Sequence, residues 1–152
     1  MNTTINKIIT SSQGLDALAL RLGAGVIFSA HGAQKLFGWF GGYGLDGTAA
    51  WMASIGLEPG MLMALAAGSA EFFGGIFLIL GLLVRPSALV LAITMVVAIV
   101  SVHLQHGFFM SSNGYEFALA LLAMSIALLF RGAGSIALDN VLASRLNHEN
   151  TQ

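Results

Sequence analysis

The sequence predicts an all-α integral membrane protein, a bundle of four transmembrane helices in a single domain, 1–152. Of its 152 residues 57% are hydrophobic and only 9% are charged, and the mean hydropathy is +0.84, outside the range of soluble domains of this size. Four apolar runs also reach the roughly 20 residues that a helix needs to cross a bilayer core. They cover approximately residues 15–38, 61–84, 86–105 and 115–131.

The first predicted helix, 15–38, is too long for the apolar region of a signal peptide, so we interpret it as a membrane helix. Gly25, Ser29 and Gly32 give it small side chains at spacings that let another helix approach closely in lipid. The second predicted helix, 61–84, is also rich in small residues. We therefore expect these two helices to be neighbours.

The connection between them, 39–60, is predicted to be an outer loop at the membrane interface. It is rich in glycine, and Asp46 is placed to cap a short helix that carries Trp51 and Met52. Its aromatic side chains are typical of the headgroup region of a bilayer.

The remaining connections are short or polar. Arg85 and Pro86 separate the second helix from the third, and proline is well tolerated in the first turn of a helix. The two helices should therefore form a tight antiparallel hairpin. After the fourth helix, residues 132–152 are predicted to form a cytoplasmic tail, with a short amphipathic helix whose apolar side chains are Ile136, Val141, Leu142 and Leu146.

Basic residues predict the orientation of the bundle, because loops rich in lysine and arginine stay in the cytoplasm. If the helices alternate in direction, Lys7, Arg85, Arg131 and Arg145 fall on one side and only Lys35 falls near the other. Both termini are therefore expected in the cytoplasm. In a bacterium this is a multi-pass protein of the inner membrane, and the outer side is the periplasm.

Two features of the composition exclude classes of function. The chain has no cysteine, which excludes thiol–disulfide chemistry and thiolate ligation of haem or iron–sulfur clusters by this chain. Any redox role would use a bound cofactor or a partner protein. The net charge of −1 gives no reason to expect a nucleic-acid partner.

Glu71 is the most informative single residue, because it lies within the apolar run 61–84. A charge at a bilayer centre costs about 3 kcal/mol on insertion scales, so such a side chain normally faces a protein interior and has a partner. At about 1.5 Å per residue, other polar side chains reach the same outer half of the bundle. The outer set is His31, Lys35, Glu71, His103, His106 and Glu116, with at least one residue from each helix.

Arg21 extends this polar set toward the cytoplasm. At 100° per residue, Arg21, His31 and Lys35 fall within an arc of about 80° on one face of the first helix. Snorkelling of Arg21 to the cytoplasmic surface is the alternative interpretation. For His103, His106 and the other residues near helix ends, an interfacial position without a function is also open.

Three chemistries fit these residue types. Glutamate and histidine relay protons when burial brings their proton affinities close together. Histidine and lysine donate hydrogen bonds to the carbonyl oxygens of a quinone, with phenylalanine and methionine against its ring. A site of histidines and a carboxylate would hold a transition metal, but no H-x-x-x-H or H-E-x-x-H pattern occurs and Lys35 would repel a cation. We therefore assign no metal ligand, and a metal site stays open as the lowest of the alternatives.

Four segments resemble the DoxX family of small bacterial four-helix membrane proteins. They are LRLGAGVIFSAHGAQKLFGWFGGYG (20–44), GSAEFFGGIFLILGLLVRP (68–86), HLQHGFFMSSNGYEFAL (103–119) and RGAGSIALD (131–139). Together they extend over roughly 15–140. The resemblance implies an inner-membrane four-helix bundle of a kind associated with quinone-linked redox proteins, oxidative stress and quinone resistance. It carries the family's polar positions onto Arg21, His31, Lys35, Glu71, His103 and Glu116, and its C-terminal signature onto Gly132, Gly134 and Asp139.

The leading hypothesis is a redox-associated membrane protein that binds a quinone or similar aromatic molecule in an outward-facing cleft and works with a partner oxidoreductase. Glu71, His31 and Glu116 are the candidate catalytic residues. The candidate binding residues are Arg21, His31, Lys35, Glu71, His103 and His106. The alternatives are a small proton-coupled transporter or exporter, assembled as a homo-oligomer, and a structural subunit of a membrane complex.

Overall fold

The computed structural model describes residues 15–142, which contain five complete α-helices, a further helical segment at 138–142 and no strand. The helices are α1 (Asp16–Phe37), α2 (Gly44–Ser54), α3 (Gly60–Leu80), α4 (Val84–Ala98) and α5 (Glu116–Arg131). The prediction of an all-α fold is confirmed for this part of the chain. The four apolar runs of the sequence correspond to α1, α3, α4 and α5, while α2 lies within the predicted outer loop.

Helix α4 continues beyond its regular α-helical part, and the whole helix extends over Val84–His106. A π-helical turn, Ile99–His103, and a 3₁₀ turn, Leu104–His106, extend it. At its other end Pro86 lies in the first turn, as the sequence predicted. The connection between α3 and α4 is only three residues long, so these helices form the expected hairpin.

Helices α1 and α3 pack against each other in antiparallel directions, which confirms that they are neighbours. A Cβ atom at Gly32 would overlap the backbone of Phe72, and one at Gly75 would overlap Ser29. Only glycine allows the two backbones to approach this closely. The contact fixes the relative height of the two helices, and with it the heights of the polar side chains that they carry.

The other helices complete a four-membered ring around an apolar core. Helix α3 also packs against α4, α4 against α5, and α5 returns to α1. Phe28, Leu78, Leu91 and Leu128 are fully or almost fully buried within this ring. We call the end of the bundle at which α1 ends at Phe37 the upper end, and the end with the α3–α4 turn the lower end.

Within residues 15–142, two helices are long and apolar enough to cross a bilayer. They are Gly60–Leu80, with a mean hydropathy of 1.8, and the extended helix Val84–His106, with 2.4. Helix α5 has 16 residues, and α1 carries Arg21, His31 and Lys35, which lower its hydropathy. Large apolar side chains are exposed along α4, as expected of a surface in contact with lipid: Leu89, Val90, Ile93, Val96, Val97 and Val100.

The structure corrects one expectation and leaves another outside its range. Asp46 does not cap α2, because that helix begins two residues earlier and Tyr43 is its N-cap residue. The carboxylate lies in the first turn instead, where a negative charge interacts favourably with the helix dipole. Of the predicted amphipathic helix in the tail, residues 138–142 are helical, while Leu146 lies outside the described residues.

Candidate functional site

The upper end of the bundle encloses a cavity of about 580 Å³. All five helices contribute to its walls, together with residues 41–43 and the loop between α4 and α5. Its size lies within the range of about 300 to 1,000 Å³ that is usual for small-molecule sites. The polar side chains along it are His31, Gln34, Lys35, Tyr43, Thr48, Glu71, Thr94, His103 and Asn113, and its larger apolar ones include Phe28, Trp51, Met52, Met95, Phe117 and Leu121.

An ion pair between α1 and α3 lies at this cavity. Lys35 Nζ is 2.6 Å from Glu71 Oε2. Glu71 is only 4% exposed, whereas the side chain of Lys35 is 24% exposed. Lys35 and His31 both belong to the polar set predicted around Glu71, and the structure pairs Glu71 with Lys35. An ammonium group has three N–H donors, so the contact with one carboxylate oxygen leaves donors for a ligand.

His31 lies one helical turn before Lys35, so both side chains project from the same face of α1. Its ring is 6.0 Å from that of Phe117 on α5, and the two planes are tilted by 49°. The cavity is therefore lined across the bundle, from α1 to α5, by an imidazole and an aromatic ring. Both residues are exposed, Phe117 to 37%.

His103 enters the cavity from α4, at the end of the π-helical turn. Such turns widen the backbone locally and are frequent at functional sites. Its Nδ1 atom is 2.8 Å from the carbonyl oxygen of Asn113. This contact joins α4 to the following loop and leaves Nε2 as the ring nitrogen available to a ligand.

His106 and Glu116 do not line the cavity. His106 Nδ1 is 2.8 Å from the carbonyl oxygen of Val102 within its own helical segment. Glu116 Oε1 accepts a hydrogen bond of 2.6 Å from the backbone N–H of Met110. Glu116 therefore shapes the loop that brings Met110 and Asn113 to the cavity wall.

Arg21 lies at the lower end, about 15 Å along α1 from His31. Arg21 is 1% exposed, and its guanidinium donates hydrogen bonds to backbone carbonyl oxygens of α3 and of the segment after α5. The acceptors are Leu78, Ile79, Ala133 and Ile136. The structure thus separates Arg21 from the cavity, although both occupy one face of α1, because a shared face does not imply a shared height.

The C-terminal signature lies beside Arg21. Asp139 accepts hydrogen bonds from the backbone N–H groups of Leu83 and Val84, at 2.7 and 3.1 Å, and so caps the start of α4. Gly132 and Gly134 have φ angles of 78° and 75°, which favour glycine. These residues fold the segment after α5 back under the α3–α4 turn.

Several residues of the cavity were absent from the predicted site. Gln34, Thr48, Thr94 and Asn113 are uncharged, so the cost of burying charge that identified Glu71 gave no signal for them. Trp51 had been assigned to the headgroup region, yet it lines the cavity because α2 folds over the upper end. Within residues 15–142, no three histidine, aspartate or glutamate side chains are placed to hold a metal ion together.

Sequence comparisons with known proteins give matches over most of this chain. A family model described as DoxX matches residues 17–104, which include His31, Lys35, Glu71 and His103 of the cavity. A Bacillus subtilis (strain 168) protein named "Putative oxidoreductase CatD" is 34% identical over 125 residues, which cover 82% of this chain and 85% of that protein.

Two uncharacterized proteins of Haemophilus influenzae (strain ATCC 51907 / DSM 11121 / KW20 / Rd) are also similar. One is 41% identical over 81 residues, covering 51% of this chain and 60% of that protein. The other is 36% identical over 73 residues, covering 48% of each. No solved structure matches the chain. The extent of the family match, together with the B. subtilis relative, shows that this chain is a membrane protein that belongs to the DoxX family.

Proposed function

We propose that this protein binds a quinone or a similar small aromatic molecule in the upper cavity and works with a partner oxidoreductase in the bacterial inner membrane. The observation that carries the proposal is the arrangement of Lys35, Glu71, His31 and His103 around a space otherwise lined largely by aromatic and aliphatic side chains. Ligand sites combine a mostly apolar wall with a few polar groups that orient the ligand.

Each part of the cavity has a role in this proposal. Lys35 Nζ and His31 donate hydrogen bonds to the ligand's oxygen atoms, and His103 faces the ligand with its Nε2 atom. Phe28 and Phe117 pack against the ring. Glu71 compensates the charge of Lys35 and exchanges protons with the bound molecule.

The redox association of the proposal draws on the family and on the name of the B. subtilis relative. The chain contains no cysteine, so it has no thiolate that would hold an iron–sulfur cluster. We propose that electrons reach or leave the bound molecule through a separate protein. The two-electron reduction of a quinone also takes up two protons, which the Glu71 carboxyl group would help to deliver.

Of the alternatives, a structural role is favoured by the Lys35–Glu71 pair, which joins α1 to α3 whether or not a ligand binds. Transport would require the cavity to open also to the lower end. There the buried Arg21 is bonded to carbonyl groups of α3 and of the segment after α5. This closure supports binding over transport.

Tryptophan fluorescence tests the proposal directly, because one of the two tryptophans lines the cavity and the other does not. Trp39→Phe leaves Trp51 as the only reporter, and Trp51→Phe leaves Trp39. We expect duroquinone, which is fully methylated and so resists addition by amines, to quench Trp51 saturably in lipid nanodiscs. Quenching of Trp39 should stay linear with concentration.

The polar groups should determine this saturable component. Glu71→Gln and Lys35→Met are each expected to weaken it at least about threefold, the effect of losing roughly 0.7 kcal/mol of a hydrogen bond. His106→Asn, outside the cavity, is the matched control and should leave it unchanged. Linear quenching of Trp51 in the otherwise native protein would refute the binding proposal.

A further inference from the structure

We infer that the cavity selects aromatic molecules that carry a hydroxyl group, as a phenol or a hydroquinone does, over fully oxidised quinones. This inference rests on the proposed function and assigns the class of ligand within it. It follows from which hydrogen-bonding groups of the cavity wall are already engaged with the protein and which remain.

Several donors of the wall are engaged by backbone carbonyl oxygens. Thr48 Oγ1 donates to the carbonyl oxygen of Lys35 at 3.2 Å, and Thr94 Oγ1 donates to that of Val90 at 3.0 Å. A hydroxyl group has a single hydrogen. Both threonines therefore offer a ligand only lone pairs.

Gln34 and His103 show the same pattern. Gln34 Nε2 donates to the carbonyl oxygen of Phe40 at 3.3 Å, which leaves its carbonyl oxygen as an acceptor. The carbonyl oxygen of Asn113, 2.8 Å from His103 Nδ1, can only accept, so Nδ1 carries the proton. In neutral His103 the other nitrogen, Nε2, is then an acceptor.

The carboxylate of Glu71 adds further acceptor capacity. It has two oxygens with about four lone-pair sites, and the contact with Lys35 Nζ engages one oxygen. The ammonium group of Lys35 keeps two of its three N–H donors, and His31, Trp51 and the side-chain amide of Asn113 supply further donors. The wall therefore offers a ligand acceptors as well as donors.

This balance discriminates between the two redox forms of one ring. A quinone has carbonyl oxygens and no donor, so it would leave His103 Nε2 and the other acceptors unsatisfied after displacing water, and each buried acceptor without a partner weakens binding. A hydroxyl group donates to such an acceptor while its own oxygen, or a second oxygen across the ring, accepts from Lys35. The hydroxylated ring satisfies both sides of the cavity.

The test uses three molecules with the same tetramethylbenzene ring: tetramethylhydroquinone, its dimethyl ether and duroquinone. Their binding to the protein in lipid nanodiscs is measured by calorimetry under reducing or neutral conditions suited to each, with empty nanodiscs as the blank. The variant is His103→Asn, whose amide can still donate to the carbonyl oxygen of Asn113 but has no atom in the position of Nε2. His106→Asn is the matched control, because its Nδ1 contact is equivalent and its ring lies outside the cavity.

We expect the native protein to bind the hydroquinone more tightly than duroquinone or the ether. His103→Asn should weaken the hydroquinone about five- to tenfold, the equivalent of one hydrogen bond of roughly 1 kcal/mol, and leave the other two molecules unchanged. A purely steric penalty on the ether would be the same in both proteins, so the comparison between proteins isolates the hydrogen bond.

Two results would overturn the inference in distinguishable ways. If duroquinone binds saturably and as tightly as the hydroquinone, and His103→Asn affects both equally, the selectivity is wrong and the proposed function stands. If none of the three molecules binds beyond the empty-nanodisc blank, the proposed function fails and the inference fails with it.

Discussion

At the residue scale, the two ion pairs of the described residues differ in environment. The Lys35–Glu71 pair is largely buried, whereas Asp16 and Arg131 are 52% and 40% exposed in their side chains. Removing one member of a buried pair leaves an uncompensated charge, which destabilises a protein strongly. An exposed pair contributes about 0 to 1 kcal/mol, because water already solvates both charges.

We therefore predict unequal losses of stability from matched substitutions. Lys35→Met should lower the free energy of unfolding by about 2 to 3 kcal/mol, somewhat less than the full cost for a buried pair because Lys35 is partly exposed. Asp16→Asn should lower it by less than about 1 kcal/mol. Thermal and denaturant unfolding in the same detergent would measure both.

The double variant Lys35→Met/Glu71→Gln removes both charges and should recover part of the loss, as expected of residues that interact directly. Equal effects of Lys35→Met and Asp16→Asn would contradict this assignment of the pair.

At the element scale, Arg21 and the segment 132–139 explain how the lower end is held together. Helix α3 ends at Leu80 with carbonyl groups that have no partner within the helix. Arg21 donates hydrogen bonds to two of them, those of Leu78 and Ile79, and Asp139 accepts hydrogen bonds from the backbone N–H groups at the start of α4. The polar signature of the C-terminal segment thus helps to hold the α3–α4 hairpin together.

Arg21 provides a test that separates stability from ligand binding. Arg21→Met should lower the free energy of unfolding by about 3 kcal/mol, because it leaves several buried carbonyl groups unsatisfied. Arg21→Lys should recover only part of this loss, since an ammonium group lacks the fork of five N–H donors. Unfolding in detergent measures both effects.

In the folded fraction, quenching of Trp51 by duroquinone should be the same in Arg21→Lys as in the native protein. If Arg21→Lys instead lost the quenching of Trp51 while keeping its stability, Arg21 would belong to the binding site, as the sequence predicted.

At the scale of the whole molecule, the sequence predicted the helices better than the site. Apolar runs determine which segments become long helices, and small residues such as Gly32 indicate which helices meet. Glu71 could be singled out because burying a charge is costly. The depth of Arg21 and the turned-away side chain of Glu116 depend on how the loops close, and one-dimensional spacing does not contain that information. For the same reason, the place of Thr48 and Trp51 in the site could not be predicted, because they reach the cavity only when α2 folds over it.

The remaining question at this scale is topology, for which we propose that α1, α3, α4 and α5 all cross the membrane and that the cavity faces the periplasm. Since the chain has no cysteine, single cysteines report position without interference. Ser112→Cys lies in the exposed upper loop and Leu142→Cys lies beyond α5 near the lower end. A membrane-impermeant maleimide should label the first in intact spheroplasts and the second only after permeabilisation. Because the Arg85 and Arg131 side chains lie at the lower end, the rule that basic loops stay inside predicts this result. The reverse labelling pattern would show that the bundle has the opposite orientation. Labelling of both positions in intact spheroplasts would contradict the proposed topology, because it would place both ends of α5 on the same side of the membrane.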